Sequence, residues 1–377
     1  MTMAGIYIHI PFCKRRCIYC DFYSTTHNEM QTTYVEAVCK ELDMRKDYLK
    51  GETVETIYLG GGTPSQLSYE SLHLLLTYIY KVYPVAPDAE ITIEANPDDL
   101  SEEYIRMLRT LPFNRISMGI QTFHDPLLQR LQRRHTAQQA IQAFKNCRAA
   151  GFKNISIDLM YGLPDETSDI WERDLAEAIS LRPEHISAYH LIYEEGTPLW
   201  KLREQKEVHE VDESTSVLFF KMLMEKLQKV GYEHYEISNF ALPNHESRHN
   251  SSYWKGKRYL GCGAAAHSYD GLSRQWNVSS LEQYIKGIQT NRPIFEKEEL
   301  DLYTRYNDYI ITRVRTRWGI SLSELKNLFG EELYTYCQKL ATPYLHQGTL
   351  IQEDDTLRLS KDGIFISDGI MSDLLWV

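Results

Sequence analysis

The sequence predicts an α/β protein: a partial, TIM-like (β/α)6 barrel, followed by a C-terminal α+β extension and a winged-helix-like domain. Strand and helix patterns alternate six times between residues 6 and 192, which is typical of a parallel sheet with crossover helices. Six such units are too few for a closed eight-stranded barrel and indicate a partial one. The alternation stops near residue 195, and helices followed by a hairpin pattern begin near residue 300.

Each unit of the predicted barrel pairs a short β-rich run with a helical pattern. The strands are predicted at residues 6–10, 54–59, 91–93, 115–120, 155–160 and 185–192. The helices are predicted at residues 28–49, 69–83, 101–108, 136–150 and 168–181, with Ser101 as an N-cap and Gly151 as a helix end. Polar groups that follow the strands should then gather at one end of the barrel, where such barrels bind their ligands.

The remainder of the chain predicts two further domains. A helix at residues 213–230 and strand or loop segments at residues 235–240 and 259–269 follow the barrel. Helical patterns then precede a hairpin-like pair, which together resemble a winged helix; they lie at residues 302–314, 322–328, 332–345, 350–352 and 357–359. We therefore divide the chain into residues 1–195, 196–299 and 300–377.

The composition is that of an ordinary globular protein, with 43% hydrophobic and 25% charged residues and a formal net charge of −11. A net negative chain is repelled by nucleic acids and by anionic membranes, so we expect neither as a partner. No apolar run approaches the ~18 residues of a membrane-spanning helix, and the first twelve residues do not resemble a signal peptide. These features predict a cytoplasmic protein.

Cys13, Cys17 and Cys20 form a Cx₃CxxC motif in the loop after the first predicted strand. Thiolates are soft ligands that suit iron–sulfur clusters and zinc. Three cysteines leave one iron of a [4Fe–4S] cluster without a protein ligand, and the amino and carboxylate groups of S-adenosylmethionine (SAM) can fill that place. Electron transfer from a reduced cluster would then cleave a C–S bond of SAM and release a 5′-deoxyadenosyl radical.

The alternative interpretation of this motif is a zinc site completed by His9 or His27. Structural zinc sites usually contain two pairs of ligands, and the chain has no second CxxC. The spacing therefore favours the cluster. The four other cysteines are predicted to be packed thiols, with Cys262 the one worth testing; they are Cys39, Cys147, Cys262 and Cys337.

The cysteine spacing resembles that of the radical-SAM superfamily, and five sequence segments extend the resemblance to the subgroup of oxygen-independent coproporphyrinogen III oxidase and its haem-chaperone relatives. The matching segments lie at residues 7–13, 59–65, 94–97, 115–121 and 157–164 and read YIHIPFC, LGGGTPS, EANP, RISMGIQ and IDLMYGLP. They occur in the order expected of the family. The resemblance implies a radical-SAM barrel that holds a [4Fe–4S] cluster on the three cysteines.

Several residues after the strands are of types that suit SAM. Glycines let a backbone approach a ligand, a Glu94 carboxylate suits an ammonium or sulfonium group, and an Arg133 guanidinium can clamp a carboxylate. Gln121 and Asp158 suit ribose hydroxyls. The resemblance implies a SAM site composed of Tyr7, the backbone at Tyr19, Gly61, Gly62, Thr63, Glu94, Gln121, Arg133 and Asp158. Arg134, beside Arg133, is the alternative to it.

Two features favour the haem chaperones over the oxidase. The oxidase has a fourth cysteine two residues after the third, where this chain has Phe22, and its N-terminal arm is absent here. Residues 249–254 read HNSSYW and resemble the HNxxYW motif of the chaperones. A neutral imidazole is a standard haem ligand, so His249 is the predicted haem ligand and His267 the second candidate.

The sequence thus leads to two main hypotheses. The first is a haem chaperone that binds a [4Fe–4S] cluster, SAM and haem, and passes haem to an acceptor protein. The second is an anaerobic coproporphyrinogen III oxidase, and another radical-SAM reaction is a third. Whether the protein is an enzyme is left open, and a flavodoxin or ferredoxin would be a suitable reductant.

Overall fold

The computed structural model describes residues 3–377. Six parallel strands lie side by side in sequence order, as predicted. They are β1 (Met3–Ile10), β2 (Thr53–Gly61), β3 (Val85–Ala95), β4 (Arg115–Gln121), β5 (Ile155–Tyr161) and β6 (His185–His190). All six therefore end at the same edge of the sheet, and the loops that carry the predicted site converge there.

Helices connect the strands and cover the outer face of the sheet. They are α1 (Gln31–Met44), α2 (Tyr69–Val82), α3 (Glu102–Leu108), α4 (Asp125–Arg130), α5 (Ala137–Ala149) and α6 (Ser168–Leu181). The predicted N-cap is confirmed, since the Ser101 side chain accepts a hydrogen bond from the Tyr104 amide. Thr136 and Gln139 form a capping box at the start of α5, and Gly151 follows its end with a φ of 92°.

The middle of the chain extends the same sheet at both edges. Its elements are α7 (Pro198–Glu204), α8 (Glu213–Lys229), β7 (Glu233–Glu236), β8 (Asn239–Ala241), α9 (Arg248–Trp254), β9 (Tyr259–Cys262), β10 (His267–Tyr269), β11 (Ser273–Asn277), α10 (Leu281–Gln289) and β12 (Phe295–Glu299). β8 and β7 lie beyond β6, whereas β9 pairs in parallel with β1 and leads to β10, β11 and β12. The described sheet thus has twelve strands, and the middle segment shares the barrel's sheet.

The C-terminal segment has its own small hydrophobic core and a winged-helix-like fold. Its elements are α11 (Leu302–Val314), β13 (Ile320–Ser321), α12 (Leu322–Gln347), β14 (Leu350–Glu353), β15 (Thr356–Leu359) and α13 (Ser367–Leu374). Gly330 breaks α12 with a φ of 85°, which explains why the sequence predicts two helices there. The predicted hairpin is confirmed as β14 and β15. Among residues 3–377 no helix is both long and apolar enough to cross a membrane.

Candidate functional site

Glycines bring the end of β2 against the start of the cysteine loop. The Gly62 amide donates to the Ile10 carbonyl at 2.8 Å. A Cβ on Gly62 would lie 2.7 Å from the Pro11 carbonyl carbon, and one on Gly61, whose φ is 110°, would lie 2.5 Å from the His9 ring. Only glycine fits at these two positions, so the close contact of the two strand ends is built into the sequence.

The three cysteines of the motif lie together beside this glycine turn. Cys13 is buried and its thiol lies 3.4 Å from the Thr63 hydroxyl, while Cys17 and Cys20 are half-buried. Burial raises the pKa of Cys20 to about 11, and the nearby thiols of Cys17 and Cys13 add to the increase. Negative thiolates held this close together repel each other, and a bound cationic group would offset that repulsion.

The histidines considered for a zinc site have other partners. His9 donates from Nε2 to the Tyr23 carbonyl at 2.9 Å and accepts at Nδ1 from the Tyr7 hydroxyl at 3.1 Å. His27 is exposed and faces Glu29. Neither imidazole lies with the three thiols, and within residues 3–377 no group of three His, Cys, Asp or Glu side chains is arranged to hold a single metal ion.

The two neighbouring arginines point to different places. Arg133 donates from Nη1 to the Cys17 thiol at 3.4 Å and from Nη2 to the Asn96 side chain at 2.7 Å. Its Nε is buried and has no hydrogen-bond partner. Arg134 instead pairs with Asp98 at 2.9 Å and with Asp99 at 3.2 Å. Arg133 is therefore the arginine that can offer donors to a carboxylate beside the cysteine loop.

Two carboxylates lie inside the barrel, Glu94 near the end of β3 and Asp158 in the middle of β5 rather than at its end as the sequence predicts. Glu94 accepts from the Tyr58 hydroxyl at 2.7 Å and from the Gly61 amide at 3.1 Å. Desolvation raises the pKa of Glu94 to about 7 and that of Asp158 to about 6. Ser117 lies 3.4 Å from Asp158. Both carboxylates would gain from a cationic or hydrogen-bonding ligand placed between them and the cysteine loop.

The remaining predicted SAM residues lie around the same opening. Gln121 has a left-handed backbone with a φ of 73°, and its side-chain nitrogen and the Arg133 guanidinium both lie over Gly119. Tyr19 is half-buried. Burial raises the pKa of its phenol, and the nearby Arg133 charge opposes that increase. The Tyr7 hydroxyl donates a hydrogen bond to Nδ1 of His9. The structure thus brings these residues together with the cysteine loop.

His249 lies outside the cysteine loop, behind the rings of Tyr58 and Tyr7, on which it stacks with ring centres 4.9 and 6.3 Å apart. Its ring is 1% exposed, Nδ1 lies 2.8 Å from the Thr56 hydroxyl and Nε2 lies 2.7 Å from the Tyr253 hydroxyl. Glu90 accepts from the His249 amide at 3.0 Å and so caps α9. Both ring nitrogens are occupied, so this conformation does not support His249 as a haem ligand, and the assignment stays a prediction.

A cavity of about 1240 Å³ lies between the cysteine loop, β9 to β11 and the C-terminal helices α11 and α12. Aromatic rings form much of its wall, among them Tyr7, Phe22, Tyr23, Tyr253, Tyr259 and Phe329. Phe22, which stands where the oxidase has its fourth cysteine, is 63% exposed there. His267 also lines the cavity, and although its ring reaches solvent, partial desolvation by the cavity wall and the nearby Arg274 charge lower its pKa, which favours the neutral ring.

Comparisons with known proteins agree with this geometry. The family profile of the Radical SAM superfamily matches residues 7–178, and that of the HemN C-terminal domain matches residues 300–366. The chain is 33% identical to the haem chaperone HemW of Lactococcus lactis, over 98% of this chain and 96% of that protein. It is also 33% identical to HemW of Bacillus subtilis, over 99% of both chains.

The chain belongs to the radical-SAM haem chaperone family. Its fold is that of the coproporphyrinogen III oxidase HemN of Escherichia coli, with a TM-score of 0.85 and 21% identity over 99% of this chain and 90% of that one. Membership of the radical SAM superfamily implies a [4Fe–4S] cluster and SAM. The predicted family and fold class are therefore confirmed.

Two polar residues of this family member were not assigned a role from sequence. Asn96 links Arg133 to the Thr63 hydroxyl, at 2.7 and 3.4 Å. Arg115 is 1% exposed, and its charge offsets part of the desolvation at Glu94 and Asp158. Asn96 follows Glu94 by two residues at the same strand end, a spacing that could have identified it. Nothing in the sequence distinguishes Arg115 from a surface arginine at the start of a strand.

Proposed function

We propose that this protein is a haem chaperone that binds a [4Fe–4S] cluster, SAM and haem, and passes haem to an acceptor protein in the cytoplasm. The observation that carries the proposal is the large aromatic cavity directly beside the cysteine loop. A porphyrin is a wide, flat, apolar ring, and aromatic walls suit such a ligand. The names of the full-length relatives point to the same ligand.

The cluster and SAM fit the residues at the strand ends. Cys13, Cys17 and Cys20 would hold three irons, and the crowded thiols would be deprotonated by the cluster's positive charge. When bound, the cluster supplies an electron for cleavage of SAM. The Nε of Arg133, which has no hydrogen-bond partner among the described residues, would donate to the SAM carboxylate.

The other SAM contacts would follow from their positions. The Glu94 carboxylate faces the glycine turn and would attract the ammonium group of SAM. Asp158 and Gln121 would form hydrogen bonds with the ribose hydroxyls of SAM. The Tyr7 ring, the Tyr19 backbone and the edge formed by Gly61, Gly62 and Thr63 complete the proposed site.

The experiment uses the full-length chain, reconstituted anaerobically and mixed with hemin. We expect a saturable change in the Soret band and a [4Fe–4S] signal in the reduced protein by EPR. The variant Cys17→Ala should lose the EPR signal, while Cys39→Ala, which changes a buried thiol outside the loop, should keep it.

Haem transfer is measured by adding an apo-haemoprotein at increasing concentrations. A transfer rate that rises with acceptor concentration indicates contact between the two proteins, whereas a constant rate indicates passive release. The same preparation is incubated with coproporphyrinogen III, SAM and a reductant such as flavodoxin or ferredoxin. Formation of protoporphyrinogen there would contradict the chaperone and favour the oxidase.

A further inference from the structure

Three histidines lie in or next to the wall of the aromatic cavity. His9 and His267 both line it, and His249 approaches it through Tyr253. Both ring nitrogens of His9 and of His249 have hydrogen-bond partners. The exposed ring of His267 has no hydrogen-bond partner among residues 3–377, so it is the imidazole of this set that can bind a metal without breaking an existing contact.

The ring of His267 also packs on an aromatic neighbour in the next strand. It stacks on Trp276, its partner across β10 and β11, with ring centres 5.8 Å apart and planes 21° apart. The preceding loop is anchored to α1, because the buried Glu41 accepts from the Gly263 amide at 2.9 Å and from Asn277 at 2.7 Å. A ligand on a rigid element needs little reorganisation to bind a metal.

The cavity also offers a cation for an acidic group on the ligand. Arg274 and Arg313 line it but pair with carboxylates, Arg274 with Glu298 and Arg313 with Glu324. Arg305 lines it too, and within the described residues no carboxylate lies within 4 Å of its guanidinium; its Nε contacts the Asp301 carbonyl at 3.4 Å, and the Asp301 carboxylate is a more distant charge. An unpaired guanidinium over an aromatic cavity suits a carboxylate on a flat apolar ligand.

We propose that the His267 imidazole would bind the haem iron and that Arg305 would bind a haem propionate. This inference rests on the proposed haem-chaperone function and specifies which residues carry it. His249 then serves to position α9 under the barrel, through Thr56, Glu90 and Tyr253. Haem would lie against the wall that contains Phe22 and Tyr253, close to the cysteine loop.

The test compares hemin binding by the anaerobically reconstituted wild type and by His267→Ala, His249→Gln and His27→Ala. We expect His267→Ala to shift the Soret maximum, to change the spin state seen by EPR, and to lower the affinity for hemin about tenfold or more. His249→Gln should keep the wild-type spectrum with a lower melting temperature. His27 is exposed outside the cavity, so His27→Ala is the matched control.

A second variant tests ligation directly. In His267→Gly, free imidazole should restore the wild-type hemin spectrum, because it can occupy the place of the missing ring. A wild-type spectrum in His267→Ala, or its loss in His249→Gln at full folding, would overturn the assignment and leave the chaperone function standing. Absence of any hemin band in the wild type would overturn the proposed function itself.

The propionate contact is tested with hemin and with its dimethyl ester, whose propionates carry no charge. Arg305→Gln should lower the affinity for hemin roughly threefold, since a half-exposed ion pair contributes modestly to binding. The affinity for the ester should not change. Arg292→Gln changes an exposed arginine outside the cavity and should affect neither ligand. An equal loss for both ligands would show that Arg305 acts through packing and would overturn its role.

Discussion

At the scale of single residues, Arg133 and Arg134 show how one position along the chain changes a side chain's role. Arg133 turns toward the Cys17 thiol, and Arg134 turns toward Asp98 and Asp99. The sequence cannot separate two adjacent arginines, because both precede the same helix. Their partners distinguish them: Arg133 donates to the Asn96 side chain, just after β3, and to the Gly119 carbonyl in β4, whereas Arg134 pairs with the carboxylates that follow Asn96.

Arg133→Ala is expected to weaken SAM binding by about tenfold or more, because a charge-assisted hydrogen bond contributes roughly 1.5–3 kcal/mol. Arg134→Ala is the matched control, and its SAM affinity should stay within about threefold of the wild type. Isothermal titration of the reconstituted protein measures both. The reverse ranking would mean that Arg134 holds the carboxylate.

Glu94 predicts a pH dependence of SAM binding. Its pKa is raised to about 7 by desolvation, so at pH 6 only about a tenth of the side chain is ionised. A bound cation favours the carboxylate and lowers this pKa, so SAM affinity should rise about tenfold from pH 6 to pH 8, with proton release on binding at low pH. Glu94→Gln should bind SAM more weakly and lose most of this rise; an unchanged profile would exclude Glu94 as the contact.

At the scale of elements, short tight contacts set the position of each loop. The Gly62 turn fixes β2 against β1, and Glu41 fixes the loop that carries His267 against α1. The sequence predicts strands β1 and β2 and helix α1 well, because their apolar spacing is regular. It does not predict that α9 docks at Glu90, since that contact joins residues 159 positions apart.

Gly62→Ala should destabilise the protein by roughly 1–3 kcal/mol and reduce cluster loading, because the added Cβ would meet backbone atoms of Pro11 that cannot move aside. Gly369→Ala, at a helical position with open space around it, should be neutral or stabilising. Urea unfolding and iron content measure both effects. Equal stability of the two variants would argue against a tight strand contact.

Glu41→Gln should lower the free energy of unfolding by roughly 2 kcal/mol. The substitution replaces one carboxylate oxygen, which accepts hydrogen bonds, with an NH₂ group that cannot accept them from the surrounding donors. The donors include the Gly263 amide, Asn277 and Tyr284. Hemin affinity should fall with it, since the loop that orients His267 is loosened. Glu36→Gln, an exposed change on the same helix, should alter neither quantity.

At the scale of the whole molecule, the barrel was predictable and the cavity was not. Six β/α repeats place every strand end at one edge, so Cys13, Glu94 and Asp158 could be grouped from sequence alone. The cavity combines Tyr7, His267 and Arg305, which lie far apart in the chain and show no common pattern. Only the extension of the sheet through β9 and β10 brings them together.

Cysteine labelling tests the arrangement of the entire chain. In the apo protein under native, reducing conditions, a maleimide should modify Cys17 and Cys20 first, because both are half-exposed. Cys39, Cys147, Cys262 and Cys337 are buried and should react only after unfolding. Reconstitution of the cluster should protect Cys17 and Cys20 in mass spectra. Rapid labelling of Cys262 in the folded protein would contradict the packing described here.

Tyr253 connects the aromatic cavity with the buried His249. Its ring faces the cavity, while its oxygen satisfies Nε2 of the buried His249. A ligand that displaced this phenol would leave Nε2 of the buried His249 without a hydrogen-bond partner, at a cost of roughly 1–3 kcal/mol. A ligand that leaves the Tyr253 hydroxyl in place would avoid this cost, whereas one that displaces it would weaken the packing of α9 against the strands through His249.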